Sequence, residues 1–595
     1  MSEIIKAIKG GEFLISNTSP NAIFTPEEWG EEQMMIAGMC NDFISQEVSP
    51  ILDRIDSMET GLMQNLLDKA GELGLLGLSV PEEFGGMGVD FKTSLLATEY
   101  LGKGHSFSVA YGAHTGIGSL PLLYYGTQEQ KVKYSPLLAS GEWKAAYCLT
   151  EPSAGSDANS GKTKAVLSED GKNYILNGQK MWITNGGFAD LFTVFAKIDN
   201  DTNLTAFLVE AKSEGVSLNP EEKKMGIKGS STRQIFFNNV KVPVENMLST
   251  RENGFKIAIN ILNIGRIKLA AGVLGGSKET ISDTVTYANT REQFGRTLGK
   301  YGAIQHKVAE QAILTFVLES ATYRAGQNIE DAINHLIEGG MNKVQATLKG
   351  IEEFAAECAI LKVAASECLD FVADEAVQIY GGMGYSSEST VERSYRDSRI
   401  NRIFEGTNEI NRMLSVDMIL KKGLKGELDL LGAATKVAGE LMSIPDFEEK
   451  EESVLSSQYT LLEGLKKTIL LVAGAAVQKL ATSLGKEQEI LMNIADMLIV
   501  TYQAESALLR VDKIIQAKGE EAAAVQLAMV KTYFYDAADK MAKSAKDALN
   551  SFMEGDELSM TLMGVRRFTK TEPFNAKNAR QLVASYILDK GGYEF

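Results

Sequence analysis

Around residue 146 the hydrophobic pattern of this chain changes period, and that change restricts the fold more than any other feature. From about residue 26 to 145 apolar residues recur at helical spacing, and "TPEEWGEEQMMIAGMCNDFISQEVSPILDRI" begins with a Thr-Pro-Glu-Glu helix start. Seven short runs rich in β-branched and aromatic residues follow: "AAYCLTE", "KTKAVLS", "NYILNGQKMWIT", "LFTVFAKI", "LTAFLVEA", "GVSLNP" and "STRQIFFNNVKVP". Separated by Gly, Asn and Asp, they predict strands of a small all-β unit ending near 250. From "ENGFKIAINILN" to about 425 long helical patterns return, and more helices follow the acidic stretch "DFEEKEE" (446–452). The expected class is a multidomain α+β protein in the order helix (1–145), sheet (146–250), helix (251–425), helix (426–595).

Composition narrows the chemistry. Acidic side chains outnumber basic ones 78 to 60, for a net charge of −18, which disfavours a phosphate-tracking surface and hence nucleic acid as a partner. The four cysteines (Cys40, Cys148, Cys358, Cys368) form no C-x-x-C pair and read as reduced thiols of a cytosol-like compartment. Four histidines at no metal spacing leave a metal-centred mechanism without support. The N-terminus lacks a signal-peptide pattern, and the longest apolar run, "TILLVAGAAV", is half of the ~20 residues that span a bilayer. A soluble, cytoplasmic protein is expected.

No Walker loop or G-x-S-x-G elbow occurs, and Gly381, Gly382 and Gly384 of "IYGGMGYSS" follow a helix rather than a strand, against a dinucleotide fingerprint. "YCLTEPSAGSD" (147–157) leaves a strand presenting Thr150, Ser153 and Ser156 beside small residues. "MWITNGG" places Trp182 and Thr184 two apart, on one face of a strand. Singly these are a core tryptophan and turn hydroxyls; together they describe a wall suited to a flat, heteroatom-edged ring. "TREQFGR" puts Arg291, Gln293, Phe294 and Arg296 at a helix end, which by composition is a solvated charged corner. "NIGRIKLAAG" carries Arg266 in an apolar helix, where a buried arginine calls for a carboxylate or phosphate partner. Glu405, in "RIFEGTNEINR", has a surface carboxylate as its ordinary reading, yet Phe404 and Gly406 give it an apolar side and an open backbone. Desolvation of that kind raises a carboxylate pKa toward use as a base.

The strings "YCLTEPSAGSD", "KMWITNGG", "TREQFGR", "QIYGGMGY", "ERSYRDSRI" and "FEGTNEI", in this order over about residues 26 to 425, resemble the acyl-CoA dehydrogenase family. The added helices to 595 and the phenylalanine before the glutamate resemble its very-long-chain branch most closely. The resemblance implies a helical N-terminal domain, a β-barrel-like middle domain and a four-helix bundle, with FAD held between them and across a subunit boundary. It implies that Glu405 removes the α-proton of a fatty acyl-CoA. Trp182 and Ile183 would lie along the flavin, Thr184 and Thr150 would bond its ring edge, and Tyr147, Cys148 and Leu149 would approach by backbone. Ser156 would contact the CoA portion, and Asn263, Arg266, Phe404 and Gly406 would line the substrate side. Arg291, Gln293 and Phe294, with Gln378, Gly381 and Gly382, would reach FAD from the neighbouring subunit, and Thr407 and Glu409 would meet its adenosine portion. One branch carries the base just before the buried arginine; Gly265 stands there in this chain.

The implied function is α,β-desaturation of a fatty acyl-CoA in β-oxidation, with electrons passed to an electron-transfer flavoprotein. An oxygen-using acyl-CoA oxidase and a non-catalytic acyl-CoA-binding scaffold remain as alternatives. Small Gly112 and Ala113 in "VAYGAHTGIG" (109–118) suit either a deep acyl channel for long chains or plain helix packing. "DFEEKEE" is repelled by an anionic bilayer, against firm membrane attachment, although a helix near "GAATKVAGELM" would adhere weakly. A homodimer fits the extra helical region.

Overall fold

The Thr-Pro-Glu-Glu signal caps something shorter than a long helix. Glu28 Oε2 accepts the Thr25 N–H at 2.8 Å, completing a capping box, but the turn it caps is a single 3-10 turn, Pro26–Glu28. The chain leaves it at Trp29 and Gly30, and α1 (Glu31–Phe43) begins there. The computed structural model describes residues 8–441 and 453–595, so "DFEEKEE" lies outside the described residues. Six more helices follow: α2 (Leu52–Asp56), α3 (Leu62–Glu72), α4 (Phe91–Leu101), α5 (Ser106–Gly112), α6 (Leu120–Tyr125) and α7 (Gln128–Ser140). Asp90 caps α4 by accepting the Thr93 N–H at 2.6 Å. Between α5 and α6 the chain forms a π-turn over Ala113–Gly118, a wide turn that recurs at functional sites.

All seven strand-like runs are strands: β1 (Ala145–Cys148), β2 (Lys164–Leu167), β3 (Asn173–Thr184), β4 (Leu191–Ile198), β5 (Thr205–Glu210), β6 (Val216–Leu218) and β7 (Thr232–Pro243), with a short β8 (Met247–Leu248) added. The order is β6-β7-β3-β2-β4-β5-β8, with β1 parallel on β4. Side chains from both halves, among them Cys148, Leu176, Phe192, Phe207, Ile235 and Val240, meet in one core. The period-two argument fails at one place. Between Lys180 and Ile183 the β3–β7 register shifts at a bulge, and Trp182 takes φ 60°. Alternation is interrupted there, so a spacing of two no longer puts Trp182 and Thr184 on one face.

Helix α8 (Gly254–Thr290) leads through a hairpin, β9 (Glu292–Gln293) and β10 (Arg296–Thr297), to α9 (Gly302–Glu338), α10 (Lys343–Glu353), α11 (Ala355–Tyr380), α12 (Thr390–Ser398) and α13 (Asn408–Leu424). The long helices α8, α9 and α11 pack together and α13 lies on α11. After α14 (Leu430–Glu440), the helices α15 (Ser456–Leu480), α16 (Gln488–Lys518), α17 (Ala524–Phe552), α18 (Gly555–Phe568) and α19 (Ala576–Lys590) form the extension. Its core is continuous with that of the bundle, with α16 and α19 against α9. Residues 9–28 dock there too: Phe13 meets Tyr502 edge-on at 5.0 Å and the Gly11 N–H donates to Glu357 Oε1 at 2.6 Å. Two helices, 254–290 and 456–486, are long and apolar enough to cross a membrane by length and composition. Both are packed against other helices of this fold, the first with most of its apolar stretch buried and the second with 39% of it buried.

Candidate active site

Glycine and small residues on α8 and on the segment after α5 leave a long cavity between them. Its lining follows α8 from Ile261 to Asp283, a rise of about 33 Å at 1.5 Å per residue. Empty space amounts to about 1450 Å³ with the open mouth included. Leu101, Val109, Ile117, Leu120, Ile264 and Leu269 make much of the wall apolar. The 109–118 segment forms its floor, and a Cβ placed on Gly112 or Gly116 would meet nothing within 4 Å. A polar stretch carries Lys103, His105, Glu279, Asp283 and Asp397, with His105 Nδ1 at 3.1 Å from Asp397 Oδ2.

Phe404 and Glu405 close on this cavity from the loop between α12 and α13. Glu405 has φ 57° and Gly406 φ 82°, so two successive residues occupy the left-handed region; for the glutamate this costs about 1–2 kcal/mol. Three side chains hold the loop by its carbonyls. Arg266 Nε donates to the Glu405 oxygen at 3.4 Å, Lys362 Nζ to that of Gly406 at 2.7 Å, and Asn411 Nδ2 to those of Glu405, Gly406 and Thr407 at 3.3, 2.8 and 3.0 Å. Thr407 Oγ1 caps α13, accepting the Ile410 N–H at 3.3 Å.

The carboxylate itself is poorly served. Among the described residues, Glu405 Oε2 is buried without a hydrogen-bond partner and none accepts the Glu405 N–H. A Cβ on Gly265 would lie 2.7 Å from Oε2, so the carboxylate rests directly on the α8 backbone, in space a side chain there would take from it. Burial raises the Glu405 pKa to about 7, against a smaller downward pull from Arg266 and Lys362. By surface area the residue is only part-buried, because it faces the cavity. Burial also lowers the Lys362 pKa to about 8. Such an arrangement can accept a proton from a weak carbon acid placed in the cavity.

The residues singled out in the sequence separate into groups. Thr184, Phe404 and Glu405 line the cavity. Asn263 and Arg266 do not: Arg266 is buried behind the loop, donating to Asn263 Oδ1 at 2.7 Å and to the Glu405 carbonyl. Its partners are an amide and a carbonyl rather than the carboxylate or phosphate expected of a buried arginine. Tyr147 is buried with its hydroxyl unpartnered and its ring edge-on to Phe195 at 5.0 Å; burial, then the Glu405 charge, push its phenol well above its usual range. Cys148 and Ile183 belong to the β-core, Leu149 is buried with its carbonyl on Lys180 Nζ at 3.1 Å, and Thr150 is part-buried. Ser156 and Trp182 are exposed. Arg291, Gln293 and Phe294 stand on the exposed β9–β10 hairpin, Phe294 at 94% exposure. Gln378, Gly381, Gly382 and Glu409 are exposed as well. Lys362, Asn411 and Lys268 escaped the sequence reading, although Lys362 in "AILKVAA" and Lys268 in "GRIKLAAG" carry the same signal as Arg266, a charge inside an apolar helix.

With this geometry in hand, the comparisons with known proteins are specific. Profiles described as acyl-CoA dehydrogenase N-terminal and middle domains match residues 30–142 and 146–240, and two acyl-CoA dehydrogenase C-terminal domain profiles match 252–420 and 464–567. The chain is 46% identical over 585 residues to a probable acyl-CoA dehydrogenase of Bacillus subtilis (strain 168), covering 98% of each. It is 44% identical over 395 residues to the mitochondrial very long-chain specific acyl-CoA dehydrogenase of Rattus norvegicus, over 64% of this chain and 56% of that one. The crystal structure of an acyl-CoA dehydrogenase complexed with FAD from Bacillus anthracis superposes with a TM-score of 0.96 at 45% identity, over 99% of this chain and all of the other.

Proposed function

This chain belongs to the acyl-CoA dehydrogenase family of FAD-dependent oxidoreductases, and from that premise we propose that it desaturates long-chain fatty acyl-CoA at the α,β position with Glu405 as the base. The observation that carries the reading is the Glu405 carboxylate, desolvated, lacking a partner for Oε2 and open to a long apolar cavity.

The residues present fit FAD. Thr184 offers a hydroxyl on the wall of an open-mouthed cavity, and the Glu405 carboxylate faces that cavity unpartnered among the described residues. Thr150, Thr184, Tyr147, Cys148, Leu149, Trp182 and Ile183 would hold the ring, with Ser156, Thr407 and Glu409 toward the rest of the cofactor. Arg291, Gln293, Phe294, Gln378, Gly381 and Gly382 stand exposed, which suits contacts to the cofactor of a second copy in a homodimer. FAD, when bound, supplies the two-electron oxidant that takes up the β-hydrogen with its electron pair.

The chain's own residues do the rest. Glu405 takes the α-proton, and its desolvation makes the carboxylate basic enough to compete for it. The free Glu405 N–H is a donor for the thioester oxygen as negative charge develops there. Arg266, Lys362 and Asn411 hold that N–H and that carboxylate in register by fixing the three carbonyls around them. Phe404 and the apolar wall exclude water. The length of the cavity supports long chains, and an electron-transfer flavoprotein is the proposed acceptor. Anaerobic bleaching of the purified flavoprotein by acyl-CoAs of increasing length tests the reaction and chain length, and turnover with that acceptor against oxygen tests the acceptor. A protein that binds no flavin, or whose flavin no acyl-CoA reduces, sinks the reading.

A further inference from the structure

A second charge faces the same cavity without a partner. Lys268 lies on α8 three residues after Gly265, about 4.5 Å further along the helix axis and on nearly the same face. It lines the main cavity and also a small side chamber bounded by Ser79, Ser94, Tyr111 and Thr115, with room for about one water. Its ammonium has three N–H donors to place, and among the described residues the one hydrogen bond it makes is to Ser79 Oγ, at 3.5 Å, the outer edge of such a bond. No carboxylate among the described residues pairs with it, and burial alone lowers its pKa to about 8.

Other buried lysines show how unusual this is. Lys180 sits on Glu151 at 2.6 Å, Lys466 on Glu505 at 2.6 Å, Lys144 on Asp68, and Lys362 on the Gly406 carbonyl and Asn408. Taking an ammonium out of water costs several kcal/mol unless an anion or a full set of acceptors compensates. The hydroxyls of Ser94, Tyr111 and Thr115 already donate to main-chain carbonyls, so the chamber supplies dipoles and no negative charge. The missing partner is an anion, and the direction from which one can arrive is the cavity.

We propose that Lys268 is the counter-cation for a carboxylate at the far end of the acyl chain, so that this cavity takes ω-carboxyacyl-CoA thioesters as well as plain fatty ones. The inference rests on the desaturase reading above, since it needs an acyl chain lying along α8 past Glu405. It concerns recognition only: Lys268 neutralises the distal carboxylate, while proton removal stays with Glu405. Without the cation, a carboxylate entering this apolar space would be stranded there, which is the larger part of what deleting one member of a buried charge pair costs.

The test compares kcat/KM for flavin reduction by matched saturated and ω-carboxylated acyl-CoAs, from six to sixteen carbons, in the wild-type holoenzyme, Lys268→Met and Lys268→Arg. At one or more lengths the wild type should use the carboxylated substrate within tenfold of its plain counterpart. Lys268→Met should lose the carboxylated substrate by thirtyfold or more while keeping the plain one within threefold, and Lys268→Arg should restore most of the loss. Discrimination above tenfold against the carboxylated substrate at every length, or an equal loss of both kinds in Lys268→Met, overturns the proposal and leaves the desaturase reading intact. Failure of every acyl-CoA, plain or carboxylated, to reduce the flavin overturns the desaturase reading instead.

Discussion

Two regions of this molecule bury charge, and they treat it in opposite ways. Where the extension meets the bundle, buried charges are ion-paired, Glu357 excepted: Arg324 with Glu505 at 2.9 Å, Lys466 with Glu505 at 2.6 Å, Arg510 with Glu319 and Glu27 at 2.7 Å each, and Lys278 with Glu99 at 2.6 Å. The Tyr593 hydroxyl adds a bond to Glu319 at 3.0 Å. At the Glu405 end of the cavity, Glu405, Arg266, Lys362 and Lys268 are buried or desolvated and form no salt bridge among the described residues, in contrast to the His105–Asp397 pair elsewhere on its wall. An ion-paired network holds one geometry, whereas a charge with no counter-ion stays available to something that arrives. The junction therefore reads as structure and the cavity as chemistry, and substitutions in the two places should separate activity from stability.

The largest effect is expected at Glu405. Glu405→Gln keeps the shape and removes the base, so flavin reduction by acyl-CoA should fall by about 10²–10⁴-fold. Stability should move the other way. Because the folded pKa, about 7, lies above the ordinary 4.5, the folded state keeps a proton that the unfolded chain releases between those values. Stability in the wild type is thus fullest below pH 4.5 and declines as pH rises through 7, by a ceiling of about 3 kcal/mol that access to water through the cavity reduces. Thermal melts should show Glu405→Gln more stable than wild type at pH 8 and equal to it near pH 4. A glutamine variant less stable at pH 8 would erase the contrast between the regions.

Glu505→Ala is the mirror experiment. It strands Arg324 and Lys466, and losing one partner of a buried pair costs about 3–5 kcal/mol. Denaturant unfolding should register that loss, while flavin reduction per folded molecule stays within about twofold, since neither Glu505 nor its partners Arg324 and Lys466 line the cavity. Gly265→Ala comes next. Its new Cβ would sit 2.7 Å from Glu405 Oε2, so the carboxylate must shift, and a displacement on the order of 1 Å costs about 10²-fold in rate. Little stability should change, because the yielding atom is the end of a side chain.

Which of these features the sequence disclosed follows from the range of the interactions. The seven strands were legible because a period of two between turn residues is a local signal. The bulge at Lys180–Ile183 was not, since a register shift depends on the partner strand β7. Glu405 was legible through its neighbours Phe404 and Gly406. The junction was invisible: Arg510 and Glu27 are 483 residues apart, and nothing local marks either as buried. Arg266 stands out as a charge in an apolar helix, but in place of the expected carboxylate or phosphate its partners among the described residues are the Glu405 carbonyl and Asn263 Oδ1. The roles of Lys362 and Lys268 required the fold, since their shared sequence signal does not say that one meets a carbonyl at 2.7 Å and the other an open cavity.

Lys362 gives the smallest and sharpest test. Its ammonium fixes the Gly406 carbonyl and also lowers the Glu405 pKa by its charge, after the larger effect of Arg266. Lys362→Met should therefore move the acid limb of flavin reduction to higher pH, because Glu405 then loses its proton less readily. The two effects separate by pH. Lys362 itself titrates near 8, so above that value the wild type also lacks the charge and its electrostatic advantage fades. The variant should be slowed more at pH 6.5 than at pH 9, where only the lost carbonyl contact remains. A deficit that is the same at both pH values would mean that Lys362 acts on the loop alone, and that the cavity's unpaired charges are not coupled to one another as the comparison with the junction requires.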